Sequence, residues 1–138
     1  QRDMLMPKRV KYRKNHLPHI KGKETRGLKL AFGDYGIQAV GRGYVDSRMI
    51  ESCRVIMAKN IGKTGKYWIR IFPDVAWTKK PLEVRMGGGK GDPEKWIFPV
   101  KPGRIMFELT GVDEDTAKHI ARLIGFRLPF EVRLISRV

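Results

Sequence analysis

The chain has 138 residues, and its hydrophobic content of 41% is enough to build the core of one globular domain. Lysine and arginine number 29 against 14 acidic residues, which gives a net charge of +15 and a pI near 10.3. A free domain gains no stability from such self-repulsion, so the excess indicates a polyanionic partner. Nucleic acid is the leading candidate, because each neutralised phosphate releases counterions. An anionic membrane surface is the alternative.

Several classes of protein are excluded or disfavoured by the same sequence. No apolar run approaches the roughly 18–20 residues that span a bilayer. Cys53 is the only cysteine, which rules out an intramolecular disulfide and a multi-cysteine zinc site. The spacing of acidic, serine and histidine residues indicates neither a catalytic carboxylate pair nor a catalytic triad. We therefore expect no enzymatic activity and no cofactor.

Residues 1–27 have the composition of an extended basic arm. Apolar residues are too few and too irregular there to bury a face, so we predict that the arm becomes ordered only on a partner. An aromatic ring among basic residues, such as that of Tyr12, is suited to stack on a nucleobase. Residues 28–138 are predicted to form a single domain. The predicted RNA-binding residues of the arm are Lys8, Arg9, Lys11, Tyr12, Arg13, Lys14, Lys21, Lys23 and Arg26.

The first half of the domain is predicted to contain strands and one helix. Two short strands, over 28–32 and 35–40, are separated by the turn signal Gly33-Asp34. Asp46 is suited to cap a helix that runs to about residue 61 and ends at Gly62. Apolar residues recur there at helical spacing, namely Met49, Ile50, Cys53, Ile56 and Met57. A strand over 66–72 follows, in which Tyr67, Ile69 and Ile71 alternate with Trp68, Arg70 and Phe72.

The second half begins with a long loop, because residues 74–93 contain little core-forming material and many glycine and basic residues. Strands over 96–101 and 104–109 are joined by a Pro102-Gly103 turn. Asp113 is suited to cap a second helix, which Gly125 would close in the left-handed conformation. One face of that helix carries Ala117, Ile120, Ala121 and Ile124. With a last strand over 130–135, this order predicts one α+β domain without internal repeats.

The glycine-rich part of the long loop, within residues 77–92, is the most informative stretch. A nucleotide-binding P-loop needs serine or threonine after its Gly-Lys pair, but Gly91 follows Lys90 here, and Asp92-Pro93 does not open a suitable helix. A flexible surface loop is the simplest alternative. We favour a loop threaded against RNA, in which glycine permits close backbone approach and Met86 offers an adaptable apolar contact. Lys79, Lys80, Arg85 and Lys90 would meet phosphates.

The remaining candidates have simpler interpretations. His16 and His19 lie in the basic arm without acidic or cysteine partners, so a zinc site is not expected. Cys53 is on the apolar stripe of the first helix and is predicted to be a buried structural thiol. His119 lies off the stripe of the second helix and is predicted to face solvent or RNA. Among the tryptophans, Trp68 and Trp96 are predicted to pack within the sheet, whereas Trp77 is the candidate for base stacking.

Successive blocks of the chain resemble one family, the bacterial and organellar large-subunit ribosomal protein L-sixteen. The resemblance extends over residues 4–129. It is carried, in order, by residues 4–14 (MLMPKRVKYRK), 32–39 (FGDYGIQA), 48–51 (RMIE), 66–74 (KYWIRIFPD), 78–81 (TKKP), 83–87 (EVRMG), 89–91 (GKG) and 100–108 (VKPGRIMFE).

The resemblance implies an α/β-hammerhead-like α+β domain, with two helices packed on a mostly antiparallel sheet. It implies a structural role in the large ribosomal subunit, bound to its rRNA near the peptidyl transferase centre and beside neighbouring ribosomal proteins. A-site and P-site tRNA would be further partners, with no membrane and no small-molecule substrate. The implied tRNA-facing residues are Lys79, Lys80, Arg85, Met86, Gly87, Gly89, Lys90 and Gly91.

Some positions depart from the family pattern. Gly41–Val45 replaces a Pro-Ala-Trp-like turn before the first helix, and Gly88 stands where lysine or serine is common. Residues 1–3 precede the usual start of the family. Together these departures lead us to expect an organellar protein with a removed presequence, in the mitochondrial matrix rather than the plastid. The bacterial cytoplasm is the other alternative.

Overall fold

The computed structural model describes residues 27–78 and 93–137. These residues form an α+β fold, which confirms the predicted class. In chain order the elements are β1 (Tyr35–Ala39), β2 (Gly43–Asp46), α1 (Ser47–Asn60), β3 (Lys66–Ile69), β4 (Val75–Thr78), β5 (Pro93–Val100), β6 (Ile105–Thr110), α2 (Glu114–Gly125) and β7 (Val132–Ser136).

The strands form two antiparallel sheets where we expected one. The first has the order β3-β6-β1-β7 and the second the order β2-β5-β4. A tight turn passes the chain from β5 to β6, since Arg104 N–H donates to the Lys101 carbonyl at 3.2 Å. Gly103 adopts φ +100° in this turn, which favours glycine. The predicted Pro102-Gly103 turn is thus confirmed, but the two strands that it joins lie in different sheets.

Local sequence signals set the ends of both helices, with one exception. The Asp46 carboxylate accepts from Met49 N–H at 2.9 Å, and that of Asp113 accepts from Thr116 N–H at 2.8 Å, as predicted for N-caps. Beyond α1, Gly62 has the left-handed φ of +77°. The prediction for Gly125 is wrong: it is the last residue of α2, and the chain leaves through the right-handed Phe126.

The core lies between the helices and the sheets. The two helices contact each other, α1 also contacts β2, β3 and β5, and α2 contacts β7. Both predicted apolar stripes are confirmed by burial of Ile50, Cys53 and Met57 on α1 and of Ala117, Ile120, Ala121 and Ile124 on α2. Burial raises the pKa of the Cys53 thiol to about 12, although the charge of Arg127 opposes this. Cys53 is therefore the inert structural thiol that the sequence predicted.

The strand predictions are corrected in four places. Residues 28–32 form no strand, because a buried side chain binds their backbone N–H groups. The strand β4 lies inside the stretch predicted as loop, where Ala76 is fully buried. The strand β2 was not predicted at all, yet it pairs with β5 along its whole length. The strand predicted over 66–72 ends at Ile69, although Arg70 N–H still donates to the Met106 carbonyl at 2.8 Å.

Candidate nucleic-acid interface

Positive charge is distributed unevenly along the chain. Residues 1–26 carry nine basic and two acidic side chains, residues 79–92 carry four and two, and all other residues carry sixteen and ten. The three net charges are therefore +7, +2 and +6. Per residue, the arm has the largest excess and the glycine-rich loop the next largest, so these two segments are the strongest sequence candidates for contact with a polyanion.

Both segments lie outside the described residues. This applies to His16, to His19 and to the predicted RNA-binding residues of the arm, Lys8, Arg9, Lys11, Tyr12, Arg13, Lys14, Lys21, Lys23 and Arg26. It also applies to the loop residues Lys79, Lys80, Arg85, Met86, Gly87, Gly89, Lys90 and Gly91. The structure does describe where each segment joins the domain, at Gly27 and at the pair Thr78 and Pro93.

The glycine-rich loop joins two neighbouring strands. In the antiparallel pair of β4 and β5, Ala76 lies opposite Trp96 and Thr78 opposite Pro93. Ala76 and Trp96 are buried, so the core fixes the base of this hairpin. The backbone of Trp77 lies in β4, which corrects its assignment to the loop. A loop that departs from a fixed base starts and returns at a defined place on the molecule, as binding loops on rigid scaffolds do.

The junction with the arm is organised around a buried carboxylate, that of Glu108 in β6. Its side chain is fully buried. The backbone N–H groups of Ala31, Phe32 and Gly33 donate to it at 3.0, 2.7 and 2.6 Å. The Arg70 guanidinium completes the set, with Nη1 at 2.7 Å from Oε2. Three amide donors and one cation thus compensate the negative charge of Glu108. A buried carboxylate requires such partners.

Residues 27–33 lie along the face of the first sheet that is turned away from the helices. Glu108 and Arg70 are on that face, because their strand neighbours Phe107 and Ile69 belong to or pack against the core. Arg70 Nη1 also donates to the Lys29 carbonyl at 2.7 Å, so one guanidinium links the segment directly to the Glu108 carboxylate. We name residues 27–33 the arm root. Its backbone is tied to the sheet immediately after the predicted arm ends.

One hydrogen bond and two close approaches at glycines fit the arm root to this face. The Gly27 carbonyl accepts from Ile105 N–H at 2.8 Å. A Cβ atom at Gly36 would lie 2.5 Å from Leu30 Cδ2, so the missing side chain of β1 makes room for Leu30. A Cβ atom at Gly33 would lie 2.5 Å from the Leu109 carbonyl oxygen, which is backbone and cannot move aside cheaply. The two glycines thus allow the arm root to pack as a second layer against this sheet.

The electrostatics favour an ionised Glu108. Burial by itself raises the pKa of this carboxyl, but the hydrogen bonds from Gly33, Ala31 and Phe32 and the charge of Arg70 outweigh it and hold the pKa below its ordinary value. The carboxylate is therefore charged at neutral pH and attracts both the guanidinium and the amide donors. The arm root is fastened to the domain by a charge-assisted network.

Sequence reasoning missed the roles of Glu108 and Arg70. A signal for Glu108 was present, since it is the only charged residue in the predicted strand after Arg104. A carboxylate in such a run needs a partner if it is buried. Its amide partners, however, lie 75–77 positions away in the sequence. Only the fold identifies them.

The other predicted residues are found mostly where expected. Trp96 is buried, and Trp68 is half-buried against Phe32, which confirms that both pack within the sheet layers. His119 is exposed on α2, as predicted. Among the described residues, no group of three or more histidine, cysteine, aspartate or glutamate side chains is arranged to hold a metal ion.

The described surface does not offer the features that the alternative functions need. An open depression of about 350 Å³ is lined by Ile69, Arg70, Ile71 and Phe72. Among the described residues that line it, Arg70 is the only charged one and already binds Glu108, so these residues do not supply the convergent polar groups of a small-molecule site. In the described part of the chain, no helix has the length and apolar character needed to cross a membrane. The apolar stripe of α1, which a membrane-surface helix would expose, lies in the core.

Comparison with known proteins agrees with the sequence blocks. A family model described as ribosomal protein L16p/L10e matches residues 7–135. The chain is also 53% identical over 134 residues to the large ribosomal subunit protein uL16 of Cutibacterium acnes, covering 97% of this chain and 96% of that protein. This relative is bacterial and lends no support to a mitochondrial location, which stays a prediction. The chain belongs to the ribosomal protein L16p/L10e family.

Proposed function

We propose that this protein is a structural constituent of the large ribosomal subunit. The observation that carries the proposal is the 53% identity, over nearly the whole chain, to a protein named for that subunit. The net charge of +15 supports it, because lysine and arginine side chains neutralise the phosphates of a bound RNA and release their counterions. The arm root adds a physical reason: a fastened segment lets a basic arm leave the domain from a defined place.

Within the subunit, we propose that the arm binds large-subunit rRNA near the peptidyl transferase centre. The glycine-rich loop, based on the β4–β5 hairpin, helps to position A-site and P-site tRNA. Neighbouring ribosomal proteins are further partners, and the protein performs no chemistry itself. For the location, the bacterial relative favours the bacterial cytoplasm over the mitochondrial matrix. Co-purification with bacterial rather than mitochondrial large subunits would distinguish the two.

The proposal is tested by measuring binding to large-subunit rRNA over a range of salt concentrations. We expect the logarithm of the affinity to fall steeply and linearly with the logarithm of the salt concentration, because contacts with several phosphates release counterions. Absent or salt-insensitive binding would reject the proposal. Stronger co-sedimentation with anionic liposomes than with rRNA would favour the membrane-surface alternative instead.

The loop variant Arg85→Ala is expected to leave assembly intact and to weaken tRNA binding to the subunit by roughly tenfold, the usual effect of losing one charged hydrogen bond. Assembly is measured by sedimentation of large subunits and tRNA binding by filter retention. Lys118→Ala is the matched control, since this exposed lysine of α2 lies on the described domain and forms a surface ion pair with the exposed Glu114 at 3.3 Å. An equal effect of both variants would show that the position of the loop charge is unimportant.

A further inference from the structure

An exposed aromatic ring lies in the arm root. Phe32 is 59% exposed, although phenylalanine is large and apolar. Its ring stacks on that of Trp68, with centroids 5.6 Å apart and an interplanar angle of 21°. Because Trp68 covers one side of the ring, the exposure of Phe32 lies on its other side and its edges. We name the two rings the aromatic platform.

The backbone under the aromatic platform is held rigidly. Phe32 N–H donates to Glu108 Oε1 at 2.7 Å, and its neighbours Ala31 and Gly33 donate to the same carboxylate. Trp68 of β3 lies directly opposite Glu108 in the register with β6. Both rings therefore stand over one fixed, buried anchor. A ring that is already ordered loses little conformational entropy when a partner covers it.

The surroundings of the platform are basic. Lys66 is exposed and lies two positions before Trp68, on the same side of β3. Lys29 is also exposed, and its carbonyl is bound by the Arg70 guanidinium that binds Glu108. The nearest acidic residue along the chain, Asp34, accepts a hydrogen bond from Thr110 Oγ1 at 2.6 Å. An open aromatic face in a segment with exposed lysines is suited to binding unpaired nucleotides.

We propose that the open face of Phe32 stacks on one unpaired nucleobase of the bound RNA, while Lys29 and Lys66 contact the adjoining phosphates. This inference rests on the proposed function and adds a base contact inside the folded domain to the phosphate contacts of the arm. Stacking reads no particular sequence, because every base has an aromatic face. The structured rRNA supplies specificity by presenting an unpaired base at this position.

The test compares Phe32→Leu with wild type for binding to large-subunit rRNA. Leucine keeps the apolar bulk but loses the stacking face, so the affinity is expected to fall between about fivefold and about 150-fold. The salt dependence is expected to stay the same, since no phosphate contact is removed. Phe32→Trp is expected to keep wild-type affinity. The control is Phe126→Leu, which changes a 77% exposed phenylalanine at the C-cap of α2.

Thermal unfolding of each variant shows whether the domain remains folded. If wild type binds rRNA in a salt-dependent manner and Phe32→Leu binds equally well, the base-stacking inference is overturned and the proposed function stands. If wild type does not bind rRNA, both are overturned. Normal binding of Phe32→Leu to isolated rRNA, combined with its loss from intact subunits, would assign the platform to a protein partner and would also overturn the inference.

Discussion

Glu108→Gln is expected to lower the free energy of unfolding by about 3 kcal/mol, at the lower end of the usual cost of removing one partner of a buried ion pair. The amide would leave the Arg70 guanidinium, whose side chain is 19% exposed, without its counter-charge. Its NH2 group would also face N–H donors in either orientation, those of Phe32 and Gly33 at the Oε1 position or that of Arg70 at the Oε2 position. Urea denaturation measures the loss, which is a large share of the stability of about 5–15 kcal/mol typical of a domain.

Glu131→Gln is the matched control, since this carboxylate is exposed. It is expected to change the stability by less than about 0.5 kcal/mol. Arg70→Met should resemble Glu108→Gln, and the double variant should lose less than the sum, because both changes disrupt one network. Hydrogen exchange of Ala31–Gly33 amides should also accelerate in Glu108→Gln. If the Glu108 and Glu131 variants had equal free energies of unfolding, the Glu108 carboxylate would not fasten the arm root.

The pH dependence of the Glu108 effect has a defined sign. The pKa of this carboxyl is lowered in the folded state from its ordinary value of 4.5, so its ionisation favours the folded state. The stability that it contributes is fully present above that ordinary value and is lost as the pH falls below it, through the folded pKa. The difference in unfolding free energy between wild type and Glu108→Gln should therefore be largest near neutral pH and should shrink in acid.

Neutralising Lys8, Arg9 and Lys11 together with glutamine is expected to weaken rRNA binding by about a hundredfold at about 0.1 M salt. The slope of log affinity against log salt should become shallower by about 2–3, because each lost phosphate contact removes about 0.7–0.9 from it. Filter binding to large-subunit rRNA at several salt concentrations measures both quantities. The folding of the domain should be unchanged, since these residues precede the arm root.

The control for the arm variant removes the same charge elsewhere. Lys59, Lys63 and Lys118 are exposed on the described domain, and their triple glutamine variant has the same net charge as the arm variant. If the arm is the anchor, this control should keep most of the affinity. Equal loss in both variants would mean that net charge alone governs binding. If arm and loop variants instead gave identical assembly defects, the division into an anchoring arm and a tRNA-facing loop would be wrong.

The helices were predictable because their signals are local. Asp46 and Asp113 accept from N–H groups three residues ahead, and the buried stripes follow from helical spacing. The prediction for Gly125 was wrong because a glycine near a helix end need not adopt the left-handed conformation of a C-cap. Gly125 is the last residue of α2 and is not in the left-handed conformation; a Cβ atom there would lie 3.4 Å from Val132 Cγ2, which is an ordinary contact distance.

The sheets were harder to predict because their pairing is not local. The strand β4 has four residues, and its stability comes from β5, which lies across the glycine-rich segment in the sequence. The strand β2 contains Gly43 and gives little strand signal, yet it pairs with β5 on the other side. Residues 28–32 resemble a strand in composition, but their N–H groups have a carboxylate acceptor instead. Composition does not reveal which acceptor an amide will find.

By itself, the sequence determined that the protein carries +15 of charge, that residues 1–26 hold the densest share, and that two capped helices supply apolar faces to one α+β domain. These properties depend on composition or on residues a few positions apart. Only the tertiary structure decided that the strands form two sheets, that Glu108 and Arg70 fasten the arm root, and that Phe32 stands exposed on Trp68. The reason is physical: a buried charge is stable only beside donors that folding brings from distant parts of the chain.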